Sequence, residues 1–442
     1  MKHTLKIRHL GPIENCTIEI NRFNILTGPQ SNGKSTIAKA IFFFRTVKQD
    51  ILKIMMQGGP QAVTEMDDES WERILNRKLK EKFMQLFGTS WVMPQDMCME
   101  YTYAKGVSIS ICLDEDILHW EKNYINITYS KKLATFLDDL NNRIFTNMTV
   151  SEKEHHAKEL DTIFCDEYET VFIPAGRNLI TLLSTQLNYI FTSLEGPQLR
   201  GIDYVTKQYT ELILKLKPMF DKGMEGIWAF EKGAKKRSQE TVSSINQLIK
   251  ETNRVLCGKY KYVDGDERLY LDDKRYVKIN LSSSGQQEIV WVFNLLFYYL
   301  LENKRVFLIL EEPESHLYPE SQRIVGEILA LFSNCKNSAL ITTHSPYLLG
   351  TFNYLLMAHQ VPSGKQETIK KTTHKTRWLD PKLTSAIFIQ DGKVHDAISS
   401  EDGLTLIQND KIDGASQIIN ERTDLILEQF WEVGDNGEIT ES

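Results

Sequence analysis

Eight residues near the start of this 442-residue chain, Gly28-Pro29-Gln30-Ser31-Asn32-Gly33-Lys34-Ser35, leave it few folds to adopt. They match G-x-x-x-x-G-K-[ST] at every fixed position. Phe23-Asn24-Ile25-Leu26 before them reads as a strand, and Thr36 to Val47, apolar and free of Pro and Gly, reads as a helix. Strand, glycine loop and helix are the context this motif needs. Glycines let backbone N–H groups turn inward around an anion, while the helix presents its positive end to the same point. The pattern implies phosphate oxygens held by the Gly28 to Gly33 backbone. Lys34 reaches the terminal phosphates, the Ser35 hydroxyl is placed for Mg2+, and Thr36 completes the contacts at the helix start.

Three further segments carry chemistry. Val306-Phe-Leu-Ile-Leu310 runs into Glu311-Glu312-Pro313-Glu314, an apolar strand ending in carboxylates. A buried strand fixes such acids: one holds a metal's coordination shell and the next orients or deprotonates an attacking water. Glu311 is assigned to the metal and Glu312 to the base. Taken alone, the same acids equally suit the start of a helix read from Ser315 to Phe332. Ile341-Thr-Thr-His344-Ser-Pro346 places a histidine at the end of another apolar strand, where it can hydrogen-bond a γ-phosphate. Ser282-Ser283-Ser284-Gly285-Gln286-Gln287-Glu288 precedes a long apolar helix and is a second anion-friendly helix start, which an ordinary N-cap explains equally well.

Between these segments the periodicity changes. Ile51 to Leu86 has helical spacing, whereas Val107-Ser-Ile-Ser-Ile-Cys and Tyr124-Ile-Asn-Ile-Thr-Tyr alternate with period two, as half-buried antiparallel strands do. Continuous apolar strands at both ends predict an α/β fold: a mainly parallel core with an antiparallel subdomain and helical insertions. The expected organisation is a head begun by residues 1–48, a helical insertion (49–96), an antiparallel subdomain (97–130) and a helical segment (131–170). A core strand (171–180), a second helical insertion (181–256), the rest of the head (257–400) and a helical tail (401–442) follow.

Composition excludes several alternatives. A formal net charge of -7 opposes a surface given over to nucleic acid, although Lys235-Lys236-Arg237 and Lys370 to Arg377 are local basic candidates. The six cysteines form no C-x-x-C pair, so neither a zinc site nor a disulfide framework is expected. The N-terminal residues lack a signal peptide's apolar core, and the longest apolar run, Ile289 to Leu301, is too short for a bilayer. A cytoplasmic protein without a membrane span is the expectation.

In the order loop, Ser-Gly-Gln turn, acidic strand end and histidine strand end, the four segments resemble the ABC-type P-loop ATPase head. Glu311-Glu-Pro-Glu-Ser-His-Leu-Tyr-Pro319, Ser283-Ser-Gly-Gln-Gln-Glu288, Thr342-Thr-His-Ser-Pro-Tyr-Leu348 and Ile173-Pro-Ala-Gly-Arg177 are similar to its SMC/RecF/OLD branch. The resemblance implies ATP and Mg2+ as ligands and catalysis by Glu312 and His344. It also implies a composite site, in which the Lys34 loop of one copy faces Ser283, Gly285 and Gln286 of another, hence a homodimer or higher even-numbered homo-oligomer. Most ABC proteins have Asp where Glu311 stands and Gly where Ser284 stands, and the Mg2+-touching glutamine is left open between Gln95 and Gln186. Fewer than a hundred residues follow His344, less than the Toprim nuclease domain of OLD proteins requires. The chain thus resembles the ATPase subunits of bacterial anti-phage systems such as Septu, PARIS and certain retrons, which act with a separate nuclease or toxin. A RecF-like clamp on duplex DNA and a non-hydrolysing, ATP-dependent assembly protein stay open as alternatives.

Overall fold

The computed structural model describes residues 2–60, 70–88, 93–113, 125–182, 203–233, 237–401, 403–408 and 420–424. Eleven strands form its main sheet. Five of them are β1 (His3–Leu10), β2 (Ile13–Ile20), β4 (Cys98–Ala104), β5 (Val107–Leu113) and β6 (Ile125–Tyr129). These pair antiparallel in the order β6-β5-β4-β1-β2 and bury alternate residues, as a sheet with one wet face must. The other six are β3 (Phe23–Thr27), β7 (Glu169–Ile173), β11 (Val306–Glu311), β12 (Ser338–Thr342), β13 (Thr384–Gln390) and β14 (Lys393–Asp396). Of these, β13-β3-β12-β11-β7 run parallel, and β14 closes the seam between β13 and β2.

β3, β11 and β12 are buried at every position, because helices cover both faces of the parallel half. Alternate residues of β11 feed two different cores: Val306, Leu308 and Leu310 pack with the Ser284–Leu301 and Pro319–Asn334 helices. Phe307 and Ile309 pack with the Lys34–Arg45 and Trp71–Phe87 helices. The first of these latter two helices carries Phe42, Phe43 and Phe44, all fully buried, since it is enclosed between the sheet and the second. The apolar run from Ile289 is the buried Ser284–Leu301 helix, and among the described residues no helix is long and apolar enough to cross a membrane. The mixed α/β head with an antiparallel subdomain is thus the fold the sequence pattern anticipates.

A satellite sheet holds β8 (Lys259–Val263), β9 (Asp266–Tyr270) and β10 (Tyr276–Lys278), with Asp264-Gly265 turning the β8–β9 hairpin in the left-handed region.

Three sequence expectations need correction. The helix after the acidic pair starts at Pro319, not Ser315, because Glu312 (φ 42) and His316 (φ 59) adopt left-handed backbone and break the chain into turns. Within the tail read as helical from residue 401, β16 (Leu404–Ile407) pairs with β15 (Ile398–Glu401). Ile407 is fastened there through its backbone N–H and C=O to the Asn353 side chain. Residues 420–424 are helical, and 402, 409–419 and 425–442 lie outside the described residues. Cysteine spacing gave no hint of a bridge, yet the β4–β5 register sets Cys98 opposite Cys112 and the two are disulfide-bonded.

Candidate functional site

In the parallel half, Glu311 is in register with Thr342, and Thr342 with Leu26, so the chain leaves β3, β11 and β12 at one edge of the sheet. The segments that follow these three ends are the Gly28–Ser35 loop, Glu311-Glu312 and His344. Convergence of the carboxyl ends of neighbouring parallel strands is where open α/β sheets bind ligands.

The loop is held open by close packing. Gly28 has φ 136, and a Cβ there would lie 2.1 Å from the Ile389 carbonyl oxygen, so only glycine fits. Asn32 pins the loop's crest: its Oδ1 accepts from the Asp391 N–H at 2.7 Å and its Nδ2 donates to Gln30 O at 2.9 Å. Gly33, at φ 100, caps the Lys34–Arg45 helix without any side-chain hydrogen bond, and no acid sits in the first turn. The free N–H groups and positive helix end therefore face whatever occupies the loop. Lys34 Nζ donates to Gly28 O (2.9 Å) and Pro29 O (2.8 Å), setting the ammonium in the loop's mouth. Burial holds it below the ordinary lysine range, countered by the charges of Glu312 and Glu314.

The two adjacent acids have different surroundings. Glu311 is buried; its Oε2 accepts from the Ala175 N–H at 3.3 Å, the Ser35 hydroxyl bonds the same carboxyl, and its Oε1 has no partner. Burial pushes this carboxyl above the usual range. A hard divalent cation takes oxygen ligands, and Ser35 with the unpartnered Glu311 oxygen fits Mg2+. Glu312 turns the other way through its left-handed backbone and keeps its carboxylate partly exposed, with Oε1 3.7 Å from His344 Nε2. Burial and the nearby Lys34 charge lower the His344 pKa, which favours the neutral ring near pH 7.

The Ser283 turn is a different structure. Ser283 caps the Ser284–Leu301 helix in a reciprocal box with Gln286, whose Nε2 also donates to Leu256 O at 2.7 Å. The hydrogen bonds of Ser283 and Gln286 are made within this turn and to Leu256, not to the Gly28–Ser35 loop of the same chain. Gly285 lies against the Glu312–Tyr318 turns, where an added Cβ would meet His316 O at 2.6 Å.

Three further charged residues, the partly buried Glu314 and the fully buried Arg177 and Glu288, shape the site without a motif that marks them. Glu314 Oε1 accepts from Thr343 Oγ1 and the His344 N–H, both at 2.7 Å, and so seats the histidine. Arg177 and Glu288 pair beneath the acids at 3.2 Å. The only sequence signals were the Pro-Ala-Gly-Arg strand end and the Glu that closes Ser283–Glu288. A cavity of about 280 Å3 lined by Gly11, Ser35, Thr36, Lys39, Met93 and Pro94 adjoins the loop, and exposed Gln95 directly follows Pro94. Gln186 lies outside the described residues, as do Lys235 and Lys236. In the other basic candidate Arg377 is committed to Glu251 (3.1 Å) and to Glu327, and Lys370 pairs with Glu367, while Lys371 and Lys375 are exposed.

A family model described as AAA ATPase domain matches residues 1–349. No curated protein matches the chain. Among solved structures, the chain is similar to an Smc head domain with an extended coiled coil bound to the C-terminal domain of ScpA, from Pyrococcus furiosus. The identity is 12%, covering 96% of this chain and 99% of that one, with a TM-score of 0.36. An SmcHead bound to the C-winged helix domain of ScpA gives 11%, 92%, 96% and 0.38 in the same order. The SMC head domain from Thermotoga maritima gives 11%, 92%, 97% and 0.34.

Proposed function

The chain belongs to the AAA ATPase domain family, and from that premise we propose that it hydrolyses Mg2+-bound ATP in a site completed by a second copy of itself. The observation that carries this reading is the strand register, which brings Lys34, Ser35, Glu311, Glu312 and His344 to one edge. Backbone N–H groups at the start of the Lys34–Arg45 helix and the Lys34 ammonium bind the phosphates. Ser35 and Glu311 hold Mg2+, which neutralises charge on the triphosphate. Glu312, solvent-accessible and beside Lys34, accepts the proton of the attacking water, while neutral His344 donates a hydrogen bond to the terminal phosphate.

In this reading a second copy completes the site, since the hydrogen bonds of Ser283 and Gln286 stay within their own turn and with Leu256. Two large side chains near it, Leu281 (74% exposed) and Tyr318 (76%), offer apolar surface for such a copy to cover. Control of a separate nuclease or toxin in anti-phage defence is the biological part of the reading and is supported by the sequence resemblance.

Phosphate release per chain, measured across a range of chain concentrations, tests the chemistry. A composite site predicts specific activity that rises with concentration and then levels; constant specific activity contradicts the shared site, and no release contradicts hydrolysis. Co-purification from the native operon tests the effector, and a chain recovered alone with and without ATP removes that part.

A further inference from the structure

Arg177 is among the largest side chains withdrawn completely from solvent. It opens the Arg177–Leu182 helix just past β7, after Gly176 turns the backbone through φ 69. Its guanidinium donates to four carbonyl oxygens: Nη1 to Pro174 (2.7 Å) and Glu311 (2.6 Å), Nη2 to Glu312 (3.0 Å) and Nε to Glu288 (3.1 Å). Its backbone N–H donates to Glu288 Oε2 at 3.2 Å, so the buried Glu288 carboxylate balances the buried charge. Only a planar, five-donor fork can span so many acceptors.

Two of those carbonyls belong to the acid pair. Glu312 has φ 42, a conformation residues with a Cβ seldom adopt, and the bond from Arg177 Nη2 holds its carbonyl inward while its carboxylate faces His344. Glu288 lies one turn into the Ser284–Leu301 helix, whose Gly285 packs on His316 O. His316 Nδ1 in turn stands 3.7 Å from Glu288 Oε1. The acid pair, the turns after it and the Ser283 turn are therefore joined through one buried ion pair.

We infer that Arg177, anchored by Glu288, is a positioning residue for ATP turnover that sets the Glu311–Glu312 backbone in register with the Ser283–Gly285 turn. This rests on the ATPase reading above. Displacement of that turn on meeting a second copy's nucleotide is passed to the acid pair through a rigid, desolvated link. The pair acts on the geometry of the base and not on the phosphate cradle, so its loss separates turnover from binding.

The test compares the full chain with Arg177→Lys and with the double variant Arg177→Met/Glu288→Met. Removing both charges together avoids stranding a buried carboxylate, which threatens folding. In the double variant kcat falls about 100-fold, while ATP affinity stays within about threefold of wild type and a cooperative thermal transition is kept. Arg177→Lys, with the charge but not the fork, recovers part of the loss. A double variant with wild-type kcat, or with affinity and turnover lost together, overturns the inference and leaves the ATPase reading standing. Should the double variant not fold, Arg177→Lys decides alone: a kcat within about twofold of wild type overturns the inference. A wild-type protein that hydrolyses no ATP overturns both, and is seen before any variant is made.

Discussion

The strand ends and the Ser283 turn differ in how their polar groups are satisfied. At the strand ends Glu311 Oε1 and Glu314 Oε2 are buried without partners, burial raises both carboxyl pKa values, and Glu312 holds a left-handed backbone. At the turn, Ser283 and Gln286 satisfy each other, and Gln287 Nε2 closes on Asn280 O and Ser282 O. Local rules are broken in the first region and obeyed in the second. Sequences tolerate such violations where function compensates for them, so the first region is read as shaped for a ligand. The second is a well-made helix start, and only the proposed shared site gives it a further role.

Substitutions can break this contrast. Glu312→Gln should give the largest effect, a loss of turnover of about 10²- to 10⁴-fold with ATP still bound, measured by rapid-quench single turnover. Turnover near the wild-type value would move the base elsewhere. Lys34→Ala removes charge-assisted hydrogen bonds of about 1.5–3 kcal/mol, so ATP affinity should fall about 10- to 100-fold by titration. Ser283→Ala acts on the other region: loss of the cap costs about 1 kcal/mol and lowers the melting temperature by a few degrees. ATP affinity at low chain concentration should not change. A drop there would show that the turn serves its own chain's loop, and the contrast would fail.

The smallest effect is a matter of sign. Burial raises the Glu311 carboxyl above its ordinary 4.5 in the folded state. Its contribution to stability is therefore fully present below the unfolded value and is lost as pH rises through the folded one. Glu311→Gln should then raise the melting temperature of the nucleotide-free protein near pH 7, with the gain shrinking as pH falls through the raised folded value and gone below about pH 4.5, while Mg2+-dependent turnover is lost. A lower melting temperature at pH 7 would mean that the carboxylate is satisfied after all.

Much of this was legible because it is local in sequence. Gly28–Ser35 sits between β3 and its helix, and the Val306–Leu310 run displays its burial directly, so neighbouring residues alone mark the loop and the acidic strand end. What escaped was long-range or depended on backbone conformation. Arg177 and Glu288 are 111 positions apart and meet only when β7 lies beside β11. The Cys98–Cys112 bridge needs the β4–β5 register, which spacing alone does not give. The delayed helix start at Pro319 follows from left-handed turns at Glu312 and His316, two residue types that carry no such preference as strong as glycine's. The polar composition around Leu404–Ile407 suits a helical tail, yet β15 and Asn353 supply partners that make it a strand.

The proposed site encloses ATP between two copies, the Ser283 turn of one meeting the Lys34 loop of the other. Light scattering of the Glu312→Gln chain, with Mg2+ and ATP and then without nucleotide, tests it most directly. A shared site gives twice the chain mass with ATP, reverting to single-chain mass when Lys34→Ala is added. ATP bound stoichiometrically to a protein that stays at single-chain mass at every concentration would contradict it.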